Sequence, residues 1–194
     1  MSRASSMEVK TPMEAPENLV EYRITRSKGV FGGVSYELRG SGRTPLLAAT
    51  RAAMSQTFVI SMQRRRLGAV DAVPRKAKLK TALVFNLEDK RRKDPVATLV
   101  RTQGAWAAHD RTALKLVVHS TPRVVLKSRD LDHFAFADVA TDSVKNFELV
   151  DATSGECHAR LLKTKPNVFK FVLKPSLDPY VAFAVALSQG FGPS

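Results

Sequence analysis

Residues 176–190 read SLDPYVAFAVALSQG, and this stretch decides the fold. Ser176 and Asp178 can cap a helix that has proline in its first turn, and Gly190 provides a stop. Residues 180–187 carry no charged side chain and are apolar on every side. A helix that is hydrophobic all round is a buried helix rather than a surface helix. We therefore predict one C-terminal helix that other elements must enclose.

The rest of the chain has the pattern of short strands separated by turn residues. The predicted strands are residues 22–26, 34–39, 57–62, 79–85, 96–101, 114–118, 124–126, 134–139, 147–150, 158–162 and 168–173. Many short strands at close spacing indicate an all-β sandwich or barrel. Residues 46–54 are ambiguous, because they also resemble a short Ala-rich helix, although Pro45 and their small number weaken that interpretation.

A buried helix in a β protein favours strands wrapped around that helix. We predict a mainly β protein of this kind. Two alternatives stay open from the pattern alone: the helix plugs one end of a β-sandwich, or it mediates dimerisation. No internal repeat of the length found in propellers or solenoids is present.

The charge of the chain is strongly positive and unevenly distributed. Lys and Arg total 31 against 18 Asp and Glu, which gives a formal charge of +13 and a pI near 10.2. Residues 63–95 carry eleven basic and four acidic side chains, a net charge of +7, whereas residues 134–194 are neutral. Such a balance favours nucleic acid, an anionic membrane or an acidic protein face as partner.

Motifs of enzyme chemistry are missing from the sequence. There is no phosphate-binding glycine loop, no dinucleotide fingerprint, no zinc-protease motif and no nucleophile elbow. The chain has one cysteine, Cys157, which excludes an intramolecular disulfide, and its four histidines are scattered. Cys157 and His158 are neighbours that would point to opposite faces of a strand. We expect a non-enzymatic protein without a metal or cofactor.

The sequence shows no targeting or membrane-spanning segment. Residues 1–18 are polar, contain proline and lack periodicity, so we expect a flexible tail before a single domain at residues 19–194. No apolar run approaches the length of about 18 residues that a transmembrane helix needs. We expect a cytoplasmic monomer with peripheral rather than integral membrane contact.

The C-terminal third resembles the tubby family. Residues 142–150, DSVKNFELV, are similar to the family signature ASVKNFQLV, and residues 182–188, AFAVALS, are similar to its final AFAIALSSF helix. Looser matches follow the family order at residues 22–26 (YRITR), 45–49 (PLLAA), 58–62 (FVISM) and 96–102 (VATLVRT). The resemblance thus covers residues 20–190 and is specific at 142–150 and 182–188.

This resemblance implies a closed antiparallel β-barrel of about twelve strands around a central hydrophobic C-terminal helix. It also implies a function. Tubby domains bind phosphatidylinositol bisphosphate headgroups through a basic cleft and act as membrane-associated adaptors, notably in delivering protein cargo to cilia. Clustered cations suit such a ligand, because Arg forms bidentate bonds to phosphate and Lys supplies a point charge.

The headgroup site of the family is altered in this chain. Its key cations, RKRKKSK, correspond to residues 50–56, TRAAMSQ, of which only Arg51 is charged, and a second family arginine corresponds to Asp71. Basic residues that follow can replace the lost charges. The predicted lipid-headgroup residues are Arg51, Arg64, Arg65, Arg66, Arg75, Lys76, Lys78 and Lys80. The alternation of the three lysines would put their amines on one face of a strand.

We therefore predict a tubby-like domain that binds phosphoinositide-bearing anionic membranes through a basic surface and acts as an adaptor at the plasma membrane, cilium or flagellum. One alternative is a protein-interaction module on the same scaffold without lipid binding. Nucleic-acid binding is a weaker alternative, because Phe85 is the only aromatic residue between Arg64 and Lys93, and base stacking needs interleaved aromatic side chains.

Overall fold

The structure is a computed structural model of the 194-residue chain. It describes residues 18–29, 32–53, 55, 57–77, 80–89, 95–103, 112–120, 123–129, 143 and 145–188. For residues 71–77, 80–85, 89, 102–103 and 112–113 the description is of the backbone alone.

Twelve strands of the described chain form one closed antiparallel barrel. They are β1 (Val20–Lys28), β2 (Val34–Arg39), β3 (Leu47–Arg51), β4 (Thr57–Met62), β5 (Arg65–Ala77), β6 (Lys80–Asp89), β7 (Ala97–Gln103), β8 (Thr112–Val118), β9 (Val124–Arg129), β10 (Phe147–Asp151), β11 (Cys157–Lys165) and β12 (Val168–Leu173). Each strand pairs with its neighbours in the sequence, and β1 pairs with β12, so the barrel has no free edge.

The period-two pattern of each strand directs one face into the barrel. In β2, Val34, Tyr36 and Leu38 are buried and alternate with half-buried residues, and β12 shows the same alternation. The buried side chains of the strands form one hydrophobic core with those of the central helix. This is the packing that the alternating sequence predicts.

The central helix α1 (Pro179–Ser188) fills the barrel. Asp178 caps its start, because its Oδ1 accepts a hydrogen bond of 2.8 Å from the backbone nitrogen of Tyr180. Every residue from Val181 to Ser188 is buried. The predicted enclosed helix and closed barrel are therefore confirmed, and the alternatives of an end plug or a dimerisation helix are wrong.

A close approach between α1 and the barrel wall fixes the start of the helix. The hydroxyl of Tyr180 donates a hydrogen bond of 2.6 Å to the carbonyl oxygen of Glu88 on β6. Gly68 on β5 makes room for this contact, since a Cβ at that position would lie 1.8 Å from the same carbonyl oxygen and 2.1 Å from the hydroxyl. Only glycine fits between the two groups.

Most predicted strands coincide with strands of the structure, but residues 46–54 do not form the helix that we considered. Residues Leu47–Arg51 form β3, which pairs with β2 on one side and with β4 on the other. Hydrogen bonds on both sides outweigh the modest helix propensity of alanine. Residues 65–75 of β5 were not predicted as a strand, and the strand predicted at 134–139 lies outside the described residues.

The predicted row of lysines on one strand is wrong. The strand β5 ends at Ala77 and β6 begins at Lys80, and the register pairs Lys76 with Thr81 and Ala77 with Lys80. Lys76 and Lys80 therefore lie on different strands of a hairpin. Lys78 lies outside the described residues.

Candidate functional site

The central helix distinguishes two ends of the barrel. At the end where α1 starts, Tyr180 contacts β6 and lies beside Gly68 on β5. At the end where α1 stops, Arg101 Nη1 donates a hydrogen bond of 3.0 Å to the carbonyl oxygen of Ser188. We call these the helix-start end and the helix-stop end, and they carry different groups of cations.

A two-residue hairpin at the helix-start end presents three arginines. Met62 pairs with Arg65, which leaves Gln63 and Arg64 as the turn. Both turn residues have a positive φ, 46° and 68°, as a type I′ turn requires, and such turns favour Asn and Gly. Long side chains occupy this turn instead, and Arg64, Arg65 and Arg66 are all exposed.

The neighbouring turn between β2 and β3 adds a fourth arginine and an apolar side chain. Arg43 is exposed, and Leu46 is 44% exposed, as is Met62 on the adjacent hairpin. The two turns lie side by side because β3 pairs with β4. We call this surface the arginine face, and it comprises Arg43, Leu46, Met62, Arg64, Arg65 and Arg66.

The arginines of this face have no carboxylate partner among the described residues. The nearby carboxylate of Glu37 is occupied by Arg39, whose Nη2 lies 2.6 Å from its Oε2. The arginine face therefore combines exposed apolar side chains with arginines that pair with no carboxylate in the described part of the chain.

The structure does not bring the predicted headgroup residues together. Arg64, Arg65 and Arg66 lie on the arginine face, whereas Arg51 lies over the ring of Phe58, 5.2 Å from its centroid. Phe58 precedes Met62 by four residues along β4, roughly 13 Å at about 3.3 Å per residue. Arg51 thus lies toward the helix-stop end.

The remaining predicted residues follow the β5–β6 hairpin toward the helix-stop end. Asp71 pairs with Thr57 at the start of β4, and Arg75, Lys76 and Lys80 lie beyond this pair on the hairpin backbone. The positions of these backbones place them nearer to Arg51 than to the arginine face.

Four cations that the sequence analysis did not single out face into the barrel at the helix-stop end. Each lies two residues along the chain from a buried core residue, and the pairs are Ile24 and Arg26, Leu99 and Arg101, Phe147 and Lys145, and Leu161 and Lys163. We call them the inner cation cluster: Arg26, Arg101, Lys145 and Lys163. For Arg26, Arg101 and Lys163, which lie on strands, the period-two spacing is the signal that could have identified them. Lys145 lies in the turn before β10, where this spacing does not apply.

The members of the inner cation cluster repel one another. Burial lowers the pKa of Lys145, and the positive charges of Arg26, Lys163 and Arg101 lower it further. Burial also lowers the pKa of Arg101. Arg51 adjoins the cluster, since the charges of Arg26 and Arg51 both act on Tyr36.

Compensating groups are missing around the cluster in the part of the chain that the structure describes. None of its four side chains forms an ion pair with a described carboxylate. Within the same residues, Arg26 Nε is buried and has no hydrogen-bond partner. Lys145 also lines a narrow cleft between the barrel wall and Phe183 of α1.

A third charged group is internally balanced. Glu148, which is 1% exposed, accepts hydrogen bonds of 2.6 Å from both Arg129 and Arg160. Burial opposes ionisation of Glu148, but the hydrogen bonds from Arg160 and Arg129 outweigh burial and lower its pKa. Burial and the charge of Glu148 raise the pKa of the Cys157 thiol to about 12. This thiol is therefore protonated at neutral pH and is not an activated nucleophile.

Other site types are not found in the described residues. No three His, Cys, Asp or Glu side chains among them could hold a metal ion, and no helix that the structure describes is long and apolar enough to cross a membrane. The chain matches no protein-family model and no curated protein.

Proposed function

We propose that this chain is a divergent tubby-like domain that binds anionic phospholipid membranes, with phosphoinositide headgroups as preferred ligands, through its arginine face. The observation that carries the proposal is the arrangement of Arg64, Arg65 and Arg66 next to the exposed side chains of Leu46 and Met62. Arginine guanidinium groups bind phosphate bidentately, and apolar side chains beside them can enter the boundary between headgroups and acyl chains.

The expected affinity is modest. Each Arg near an anionic leaflet contributes about 1 kcal/mol, so four contribute about 4 kcal/mol, which corresponds to a millimolar dissociation constant. Burial of Leu46 and Met62 adds to this. Binding is therefore reversible, and salt weakens it because exposed charges are screened beyond about 8 Å at physiological ionic strength.

The backbone of the hairpin supports a binding role. A residue other than glycine in the left-handed region costs about 1–2 kcal/mol, and Gln63 and Arg64 both adopt this region. Strain of this kind is concentrated at functional sites. The turn keeps Arg64 exposed at its tip where glycine would fit with less strain.

The resemblance to the tubby family supports the cellular part of the proposal. An arginine face at one end of the barrel leaves the outer wall of the strands free to carry protein cargo. We propose an adaptor that is cytoplasmic and associates peripherally with the plasma membrane, cilium or flagellum.

Liposome sedimentation tests the membrane proposal. Neutral phosphatidylcholine vesicles are compared with phosphatidylcholine vesicles that contain phosphatidylserine or phosphatidylinositol 4,5-bisphosphate at matched surface charge, at low and physiological salt. The triple variant Arg64→Gln, Arg65→Gln, Arg66→Gln should lose most of its binding to the anionic vesicles. A matched control removes three exposed charges elsewhere, with Lys115→Gln, Arg123→Gln and Lys127→Gln on β8, β9 and the segment between them.

The outcomes distinguish the alternatives. Preference for the bisphosphate at matched charge supports headgroup recognition, and equal binding to all anionic vesicles supports a non-specific electrostatic tether. If the wild-type protein binds no vesicle, or if the control triple variant loses as much binding as the arginine variant, the membrane proposal is wrong. A protein-interaction module is then the better interpretation.

A further inference from the structure

We propose that the inner cation cluster is a second binding site, which takes a group carrying two or more phosphates at the helix-stop end of the barrel. This site is separate from the arginine face, because α1, ten residues long, lies between the two ends and spans about 15 Å at 1.5 Å per residue. The proposal therefore goes beyond membrane attachment through the arginine face.

The charge of the cluster exceeds what the helix can balance. The C-terminal end of a helix carries about half a negative charge, and Arg101 already contacts it through the carbonyl oxygen of Ser188. No described carboxylate pairs with the other three cations, Arg26, Lys145 and Lys163. Capping of α1 thus accounts for one cation and leaves the rest without a structural partner in the described chain.

Burial makes this arrangement costly for the folded protein. Charges that share a partly buried site repel more strongly than charges in water, because the local dielectric constant is lower. Arg26 Nε is in addition a buried donor without an acceptor in the described residues, and such a donor destabilises the fold. An anion at the cluster would remove the repulsion and supply the missing acceptor.

The number and kind of cations indicate the class of ligand. Two arginines offer bidentate donors to phosphate oxygens, and two lysines offer point charges. A single phosphate group carries about 1.5 to 2 negative charges at neutral pH, so two phosphates are needed to balance the three cations that α1 leaves without a partner within the described residues. A soluble diphosphate and a bisphosphorylated lipid headgroup share this chemistry.

Calorimetric titration and thermal unfolding of the full chain test the site. Inorganic pyrophosphate should bind more tightly than inorganic phosphate and should raise Tm. Lys145→Met, which keeps the apolar stem, should weaken pyrophosphate binding about tenfold to a hundredfold, the effect of one charge-assisted hydrogen bond. Lys145→Arg should restore binding, and the exposed control Lys127→Met should leave it unchanged.

Vesicle binding separates the two sources of the ligand and the two sites. If pyrophosphate does not bind but vesicles with the bisphosphate do so in a manner that depends on Lys145, the phosphates come from the lipid and the site stands. Arg65→Gln should weaken vesicle binding without affecting pyrophosphate, so failure of the membrane proposal leaves this test intact.

The proposal is overturned if neither pyrophosphate nor bisphosphate vesicles depend on the cluster. Equal affinity of the wild type and Lys145→Met for pyrophosphate, together with equal binding of both proteins to bisphosphate vesicles, would show this. Should Lys145→Met fail to give a folded protein by circular dichroism, Lys163→Met carries the same comparison. A gain in stability with unchanged ligand binding in the variant would assign the cluster to structural repulsion alone.

Discussion

Arg101 Nη1 lies 3.0 Å from the carbonyl oxygen of Ser188 and donates a hydrogen bond to it across the helix-stop end of the barrel. The last carbonyl groups of a helix lack partners within the helix. Ser188 also donates a hydrogen bond of 2.6 Å from its hydroxyl to the carbonyl oxygen of Val185. These two bonds satisfy the carbonyl oxygens of Ser188 and Val185, and neither of them involves Arg26, Lys145 or Lys163 of the inner cation cluster.

The helix-start end depends on a glycine, and we expect Gly68→Ala to destabilise the protein strongly. A Cβ at this position would lie 1.8 Å from the carbonyl oxygen of Glu88 and 2.1 Å from the Tyr180 hydroxyl. The carbonyl belongs to the β6 backbone, so the wall itself must shift. We expect a loss of about 3 kcal/mol or more, at the upper end of overpacking substitutions. Urea unfolding followed by circular dichroism measures it.

Gly42→Ala is the control for this substitution. A Cβ at Gly42 has no heavy atom within 4 Å, and its φ is not in the left-handed region. The change should be neutral or stabilise the protein by up to about 1 kcal/mol through the unfolded chain. Equal stability losses for both variants would contradict the close approach at Gly68.

The fold could be predicted from the sequence where local pattern and burial agree. The apolar helix and the strands β2 and β12 show their periods plainly, and the resemblance to tubby domains supplied the closed barrel. Most of the strand β5 was missed because Gly68 and Pro74 interrupt its pattern. Its partners β4 and β6 supply the hydrogen bonds that make it a strand.

The candidate sites could be predicted only in part, because register decides which cations meet. Arg51 and Arg64 are close in sequence, yet they lie toward opposite ends of a barrel wall. Arg26 and Lys145 are distant in sequence, yet they act on one another at the same end. The inward position of Arg26 could be read from its spacing to Ile24 on β1, but the end of the barrel at which each cation lies depends on strand pairing.

Glu148 forms ion pairs with Arg129 and Arg160. We expect Glu148→Gln to lower the free energy of unfolding by about 3–5 kcal/mol, as for a buried ion pair that loses one partner. The variant leaves Arg160, whose side chain is 10% exposed, without its carboxylate. The free energy of unfolding from urea titrations measures this loss. Glu21→Gln is the matched control, since its pair with Lys170 is exposed, and surface pairs contribute about 0–1 kcal/mol.

The lowered pKa of Glu148 also predicts that the folded protein loses stability at acidic pH. The pKa of this carboxyl group in the folded state lies below its ordinary value of 4.5. A carboxyl group with a lowered folded pKa stabilises the protein above its unfolded pKa, and this contribution is lost as the pH falls through the folded pKa. The Tm of both proteins is measured from pH 6 downward in steps of about one pH unit. It should fall more steeply in the wild type than in Glu148→Gln. An equal fall of Tm with pH in both proteins would show that Glu148 does not cause the loss of stability at acidic pH.

The turn formed by Gln63 and Arg64 predicts that stability and membrane binding change in opposite directions when its residues are replaced. The double change Gln63→Asn, Arg64→Gly gives the turn its favoured residues and should stabilise the protein by about 1 kcal/mol. It also removes one arginine, which should weaken binding to anionic vesicles about fivefold. Thermal unfolding and liposome sedimentation measure the two effects.

The single change Gln63→Asn separates the two effects of the hairpin. Asparagine tolerates positive φ, so this variant should gain stability while all of the arginines remain. Its vesicle binding should equal that of the wild type. A loss of vesicle binding in Gln63→Asn would mean that turn geometry, rather than the charge of Arg64, controls membrane contact.

The inner cation cluster predicts an unusual response of stability to alkaline pH. The pKa of Lys145 in the folded protein lies below its ordinary value of 10.5, because burial and neighbouring cations disfavour the charged form. The folded state therefore binds fewer protons than the unfolded state between these two values, and stability from this group rises with pH across that window. At pH values below the lowered pKa, Lys145 is charged in both states and destabilises the folded state by the full amount.

Lys145→Met should accordingly be more stable than the wild type at neutral pH without ligand, and the difference should shrink as the pH approaches 10. Measurements stop there, because the pKa of Tyr36 is raised from 10.0 by burial, and its ionisation above that pH destabilises the fold in both proteins. Urea unfolding from about pH 8 keeps His158 neutral, since burial lowers its pKa from 6.5. A constant or widening difference would show that Lys145 is not under repulsion from Arg26, Lys163 and Arg101.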